Sequence, residues 1–198
     1  MIRLLVALLL SLCTAAASAE RLSNPVLSLS IDKPDDWHTL TAEANAENLR
    51  KAEIGTPEFQ AAIRNYASVP LFAFTRFPEP HPDMNASVKV NTRPAASFAG
   101  KSGQQILQAL LPAISAAMSD VRIVTPPEAV SLANRSAGHM ALTYTLKTEG
   151  RAYPAASEMW IVPRGDYLVI VGAGYRPDDG TGDRALVTKI VNSLRLGD

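Results

Sequence analysis

Apolar and polar residues alternate along several segments of the chain, with the two-residue period that is typical of a half-buried β-strand. The first such segment, VLSLSI at 26–31, leads into a turn that contains Pro34 and precedes Trp37. Further strands are predicted at 70–77, 86–92, 121–124, 139–146, 157–162 and 167–173. Because the turn-rich segment 163–166 joins the last two, we expect the final three strands to pair as antiparallel neighbours.

Apolar residues spaced three and four apart predict helices between and after these strands. Ser102 and Gln105 form a capping box at the start of one helix, in which Pro112 is expected to cause a kink. Thr56, which precedes a proline, and Asp183 are expected to cap two others. The predicted helices occupy 41–53, a segment from 56, a segment from 103 to 118, and a segment from 183.

Five or more strands, with helices before, between and after them, predict an α+β fold: an antiparallel β-sheet flanked by helices on both faces. The 198 residues are 47% hydrophobic, which is enough for one core, and we expect a single domain over 20–198. The 19 basic and 19 acidic residues cancel, and this balance disfavours binding to nucleic acid.

The first 19 residues have the pattern of a secretory signal peptide. Arg3 supplies a positive charge, 4–12 form an apolar core too short to span a membrane, and 17–19 (ASA) match a cleavage site. Cleavage is expected after Ala19, which would place the mature chain in the periplasm or outside the cell. No transmembrane segment is predicted in the mature chain.

Cys13 is the only cysteine, and it leaves one alternative open for the N-terminus. A lipoprotein would be cut before a lipidated cysteine, but this processing needs a small residue where the chain has Leu12. If the cut falls after Ala19, the mature chain has no cysteine, which excludes disulfides and thiolate chemistry.

The last predicted strand runs into Gly172 and Gly174, which match the first two glycines of a dinucleotide-binding turn. Pro177 occupies the third glycine position, and the next helix starts only at about 183. No second parallel strand remains to bind a ribose. The sequence therefore predicts no cofactor, and we expect these glycines to let the strand bend close to a helix.

The loop EPHPD carries the best candidates for a metal site, namely Glu79, His81 and Asp83, on a segment stiffened by prolines. We favour the interpretation that this loop is a solvated connection without a metal. Trp37 is the candidate for a contact with a ligand or partner, although core packing is the favoured role. No G-x-S-x-G or H-E-x-x-H motif is present, so no catalytic residue is assigned.

The order of these features resembles the PsbP/DcrB-like superfamily. The segments that carry the resemblance are LSIDKPDDW, GHMALTYTL, YPAASEMWIVPRGDYLVIVGAGY and the closing IVNSLRL. The resemblance implies a small exported domain with an antiparallel sheet between helices, and a role in binding or assembly. Since these segments are packing patterns, the resemblance implies no site residue.

Our leading hypothesis is an exported, non-enzymatic accessory protein that binds a protein partner or a cell-envelope component. Two alternatives stay open. One is a periplasmic binder of a metal or small ligand that uses the loop around His81. The other is a hydrolase with a dispersed site, in which a histidine meets an acid or a hydroxyl only in the folded chain.

Overall fold

The computed structural model describes residues 19–52, 55, 69–177 and 182–197. The strands are β1 (Ala19–Asn24), β2 (Leu29–Pro34), β3 (His38–Thr39), β4 (Phe72–Thr75), β5 (Ser87–Pro94), β6 (Ser119–Leu132), β7 (Arg135–Thr148), β8 (Arg151–Arg164), β9 (Tyr167–Tyr175) and β10 (Arg195–Leu196). The helices are α1 (Ala42–Lys51), α2 (Gly103–Ala117) and α3 (Asp183–Asn192). The predicted signal peptide and the predicted helix from 56 lie outside the described residues.

Seven of the strands form one antiparallel sheet in the order β3-β4-β5-β9-β8-β7-β6. Its last four strands form a run of hairpins, in which β6 pairs with β7, β7 with β8, and β8 with β9. Strand β5 then pairs with the free side of β9. The predicted antiparallel order of the final strands is therefore confirmed, and β6 lies at one edge of the sheet.

The two faces of the seven-stranded sheet bury separate apolar clusters. On one face, Ile106 and Leu107 of α2 pack against a cluster that includes Met140 and Ile161. On the other face, α3 contributes to a larger cluster, which includes Val187, Ile190, Val191, Leu29, Ile31, Trp160 and Val171. Helices thus flank both faces of the sheet, as the sequence predicts.

Helix α1 lies on the same face of the sheet as α2. Val88 and Val90 of β5 point toward the α3 side, so Lys89 between them points the other way. Its Nζ donates a hydrogen bond of 2.7 Å to the side-chain oxygen of Asn45 in α1. Burial lowers the pKa of Lys89 to about 8, and the negative charge of Glu79 opposes this shift.

A second, three-stranded sheet of order β1-β2-β10 lies beside α3. Strand β2 is central because it pairs with β1 on one side and with β10 on the other. Its residues alternate between buried and half-buried positions. The ammonium group of Lys33 donates to the backbone oxygens of Pro34 and Trp37, at 3.3 and 3.1 Å. It thereby closes the predicted turn at the end of β2.

Every predicted strand differs in extent from its predicted range, and for two of them prolines explain the difference. Strand β2 begins at Leu29 and not at 26, because Pro25 opens a turn that closes with a hydrogen bond from Ser28. Strand β6 extends over fourteen residues, far beyond the predicted 121–124. Pro126 and Pro127 interrupt the pairing at a register shift, which an edge strand tolerates because one side of it needs no partner.

The capping box at α2 is confirmed, with Ser102 and Gln105 bonding each other's backbone amides at 3.2 and 2.9 Å. The helix includes Pro112 and runs to Ala117. The predicted capping role of Asp183 is wrong. Gly182 occupies that position with φ +74°, and Asp183 lies inside the first turn of α3, opposite Arg76.

A close approach between helix and sheet occurs where Gly103 of α2 meets Gly138 of β7. A Cβ on Gly103 would lie 2.2 Å from the carbonyl oxygen of Ile161 and 2.3 Å from the amide nitrogen of Gly138. At Gly172, by contrast, no described atom lies within 4 Å of the Cβ position. The glycines of the described helix–sheet contact are therefore Gly103 and Gly138, and not Gly172 and Gly174 of β9, for which this role was predicted.

Candidate functional site

The register of β6 to β9 aligns side chains into rows across the α3 face of the sheet, and each row contains polar residues. One row places Glu128, His139 and Trp160 beside one another. The next row includes Ala141 and Glu158, and the third includes Thr143, Ala156 and Tyr175. Because alternate residues of a strand share one face, the strands bring together side chains that lie far apart in the sequence.

His139 is held between two carboxylates. Its Nδ1 atom lies 3.2 Å from Oε1 of Glu128, and its Nε2 atom lies 2.9 Å from Oε2 of Glu158. The ring also stacks on Trp160, with a centroid separation of 4.7 Å. Both ring nitrogens and one ring face are therefore occupied by neighbours.

Glu158 is the centre of this network, and only 4% of its side chain is exposed. Oε1 accepts hydrogen bonds from the hydroxyl of Tyr175 at 2.6 Å and from Nε of Arg184 at 3.1 Å. Oε2 faces His139. A buried carboxylate needs such donors, because it has lost its hydration.

The neighbours shift the pKa values of these groups. Burial raises the pKa of Glu158, but the hydrogen bonds from His139 and Tyr175 and the charge of Arg184 outweigh it and set the pKa at about 2. Burial lowers the pKa of His139, yet its hydrogen bonds to Glu158 and Glu128 outweigh burial and raise the pKa above its ordinary value of 6.5. Burial and the adjacent Glu158 raise the pKa of the Tyr175 hydroxyl.

A cleft of about 400 Å³ opens beside this network, and we call it the β6–β9 cleft. Ala141, Thr143, Ala156 and Tyr175 are among the sheet residues that line it. At the outer edge, Val124 of β6 also lines the cleft and is 55% exposed. The cleft volume lies in the range of small-molecule sites.

The start of α3, with Gly182 before it, and the two residues that follow β9 form the opposite rim of the cleft. Arg176, Asp183 and Arg184 supply its charges. Nη1 of Arg176 is paired with Asp83 at 2.6 Å. Nη1 of Arg76 and Oδ1 of Asp183 lie 3.0 Å apart and form an ion pair. Neither of these two buried atoms makes a hydrogen bond of good geometry.

This arrangement suits recognition better than proton transfer. A histidine that acts as a general base needs one ring nitrogen available to receive a proton. Both nitrogens of His139 face carboxylates, and Glu158 is a weak base because its pKa is about 2. The network therefore holds Arg184 in position at the cleft.

The metal candidates on the loop at 79–83 have other neighbours. Glu79 accepts hydrogen bonds from the amide of His81 and from the side chain of Asn85, each at 3.0 Å. The His81 ring stacks on Phe77, and Asp83 pairs with an arginine. Within the described residues, no group of three or more acidic, histidine or cysteine side chains is placed to hold a metal.

Trp37 lies in the core, where only 2% of the residue is exposed. A contact between this residue and a ligand or partner stays a prediction, and it would require the side chain to become uncovered. Within the described ranges, no helix has the length and apolar character needed to cross a bilayer.

No sequence pattern predicts a role for Glu158, Tyr175 or Arg184. One clue was present in SEMWIV, since the period of this strand places Glu158 on the same face as Trp160. An acid at an inward position requires a partner. The partners could not be identified, because the contact with Arg184 depends on how α3 packs against the sheet.

The fold defined by these layers is an α+β sandwich of the PsbP/Mog1 type, and comparison with solved structures supports this. The Ran-binding protein Mog1p of Saccharomyces cerevisiae is 9% identical and has a TM-score of 0.50, with 92% of this chain and 97% of that chain covered. LpqN of Mycobacterium tuberculosis is 12% identical with a TM-score of 0.49, and 91% of each chain is covered.

Cyanobacterial PsbP from Synechocystis is 13% identical and has a TM-score of 0.48, with 93% of this chain and 96% of that chain covered. No protein-family model matches the sequence, and neither does any curated protein. The resemblance to the PsbP/DcrB-like superfamily is confirmed at the level of the fold.

Proposed function

We propose that this chain is an exported, non-enzymatic accessory protein that binds a protein partner or a cell-envelope component in the β6–β9 cleft. The observation that carries the proposal is the open cleft beside an exposed apolar edge. Val124 of β6 lines this edge of the cleft and is 55% exposed. A cleft of this size with exposed apolar surface at its rim is typical of an interaction site.

The charged network supports a binding role because it fixes the geometry of the rim without supplying an available base. Glu158 orients Arg184, and His139 and Tyr175 in turn hold Glu158. A preorganised guanidinium loses little side-chain freedom when a partner binds. Mog1p, which shares the fold, is itself a Ran-binding protein, and protein binding by the present chain agrees with that role.

Export is part of the proposal and rests on the signal-peptide pattern of the first 19 residues. The expected site of action is the periplasm or the cell exterior. Fractionation of cells that produce the full chain should place the processed protein there, and mass spectrometry should find Glu20 as its first residue.

Site-specific photo-crosslinking tests the binding surface directly. A photoreactive residue in place of Val124 should yield a discrete crosslinked species in cells that produce the protein. Val26 is the matched control, because it is 92% exposed but lies near Arg164, at the other end of β8 from Ala156. The same species from both positions, or none from Val124, would contradict the proposal.

A further inference from the structure

We infer that the β6–β9 cleft binds an amphiphilic carboxylate, with an apolar tail across the alanine floor and a carboxylate head on Arg184. The inference rests on the proposed function and names the chemistry that its site would recognise. The ligand could be free or could be part of an envelope component, since both present the same head and tail.

The floor of the cleft is a shallow trough that crosses the strands. Thr143, Ala156 and Tyr175 form one row across β7, β8 and β9, and Ala141 lies in the adjacent row. Val124 extends the lining to β6. Four strands spaced about 4.8 Å apart give a trough of roughly 14 Å. The two alanines leave room in its middle, because their side chains end at Cβ.

The trough is suited to an apolar tail. Ala141 and Ala156 at its floor are 3% and 5% exposed, so most of the apolar surface that a tail could cover belongs to Val124, which is 55% exposed, and to Pro177. A tail that lies over these residues would be removed from water, and each buried methylene contributes about 0.8 kcal/mol. A fully polar ligand would gain nothing from this floor.

The charged residues at the rim of the cleft indicate which head group the ligand carries. Three charged side chains belong to the described lining, namely those of Arg176, Asp183 and Arg184. Asp183 faces Arg76, and Arg176 faces Asp83. Arg184 is the exposed cation of this set, with 62% of its side chain accessible.

The geometry of Arg184 also favours a carboxylate. Glu158 engages its Nε atom at 3.1 Å, and this bond fixes the plane of the guanidinium. The two Nη groups carry further donors, and a carboxylate can accept two parallel bonds from such a group. A hydroxyl head offers a single uncharged oxygen, so it cannot accept two parallel charge-assisted bonds, and a cationic head would be repelled.

Calorimetry with decanoate as the probe tests the inference on the mature chain. Decanol and decyltrimethylammonium are the matched ligands, and each compound is used below its micelle concentration or its solubility limit. We expect decanoate to bind, and decanol to bind at least about tenfold more weakly, because it lacks a charge-assisted contact. Decyltrimethylammonium should show no binding. Equal affinity for decanoate and decanol would overturn the assigned head.

Two variants locate the site. Ala156→Leu should fill the trough and abolish decanoate binding, whereas Ala129→Leu, on an exposed position of β6, should leave it unchanged. Arg184→Gln should weaken decanoate at least about tenfold and leave decanol unaffected. If Ala156→Leu fails to fold, Ala141→Val provides the same test. Unchanged binding in the trough variants or in Arg184→Gln would overturn the inference.

The inference and the proposed function fail in different ways. If decanoate does not bind while the photoreactive residue at Val124 captures a protein, the cleft binds a polypeptide. The amphiphile inference is then wrong and the accessory role stands. If decanoate binds but no crosslink to a protein or an envelope lipid forms at Val124, the proposed partner role is contradicted.

Discussion

Glu158 shows how one residue can depend on three others for its burial. Its carboxylate lies inside a mostly apolar strand, where an unpaired charge would cost several kcal/mol. Tyr175, Arg184 and His139 supply hydrogen bonds to its two oxygens. These bonds offset the lost hydration, so the side chain remains ionised although only 4% of it is exposed.

The network predicts a definite pH dependence of stability. The folded pKa of His139 is raised, so its contribution is complete below about 6.5 and is lost as the pH rises through the folded value. The folded pKa of Glu158 is lowered, so its contribution is present above 4.5 and is lost as the pH falls toward about 2. Both contributions are largest together between about pH 4.5 and 6.5.

The free energy of unfolding in urea, measured from pH 4 to 9 for the wild type and for His139→Gln, checks this dependence. We expect the variant to be less stable by about 1–3 kcal/mol near pH 5.5, and the difference should shrink at alkaline pH. His38→Gln is the control, because His38 is exposed. A difference that stays constant across the range would contradict the prediction.

At the scale of elements, α2 is held against the sheet by a contact between two glycines. The Cβ positions of Gly103 and Gly138 each lie within 2.5 Å of backbone atoms of the other residue. Backbone atoms cannot move aside as a side chain can, so the helix would have to shift. The contact therefore sets how deeply Ile106 and Leu107 enter their apolar cluster.

Gly138→Ala should lower the stability by about 1–3 kcal/mol, because the new methyl group would lie 2.2 Å from the carbonyl carbon of Gly103. Thermal unfolding should show a fall in Tm of roughly 2–12 °C. Gly172→Ala is the matched control, since no described atom lies within 4 Å of that Cβ position. An equal fall in both variants would argue against the close contact as the cause.

At the scale of the whole molecule, the C-terminal residues connect the two sheets. The carbonyl oxygen of Gly197 accepts hydrogen bonds from Arg135 and Arg164 of the large sheet, each at 2.7 Å. Its amide donates to the backbone oxygen of Ser28, next to β2, at 2.7 Å. The short strand β10 thus joins β2 to the hairpins of the large sheet.

Truncation after Leu194 should therefore destabilise the molecule, because it leaves one side of β2 unpaired and removes the acceptor of two arginines. We expect a loss of about 2–4 kcal/mol, measured by urea unfolding. Arg195→Ala is the control, since β10 pairs with β2 through its backbone and this side chain is exposed. A truncated chain as stable as this control would show that β10 contributes little.

Much of the fold could be predicted from local patterns. Strands β7, β8 and β9 and the capped helix α2 follow from the two-residue period and from the pairing of Ser102 with Gln105. The short strands β1, β3 and β10 were not predicted, because they lack a clear apolar alternation and are defined by their pairing with β2 and β4. The extent of β6 was missed for the same reason.

The sequence by itself determined the layers of this protein, because the period of its apolar residues decides which side chains are buried. It also determined the charge balance and the predicted export signal. Only the tertiary structure decided where the site lies. Glu128, His139, Glu158, Tyr175 and Arg184 belong to five different elements, and they meet because strand register and helix packing place them together. No local pattern encodes such a meeting, since each contact joins segments at least eleven residues apart.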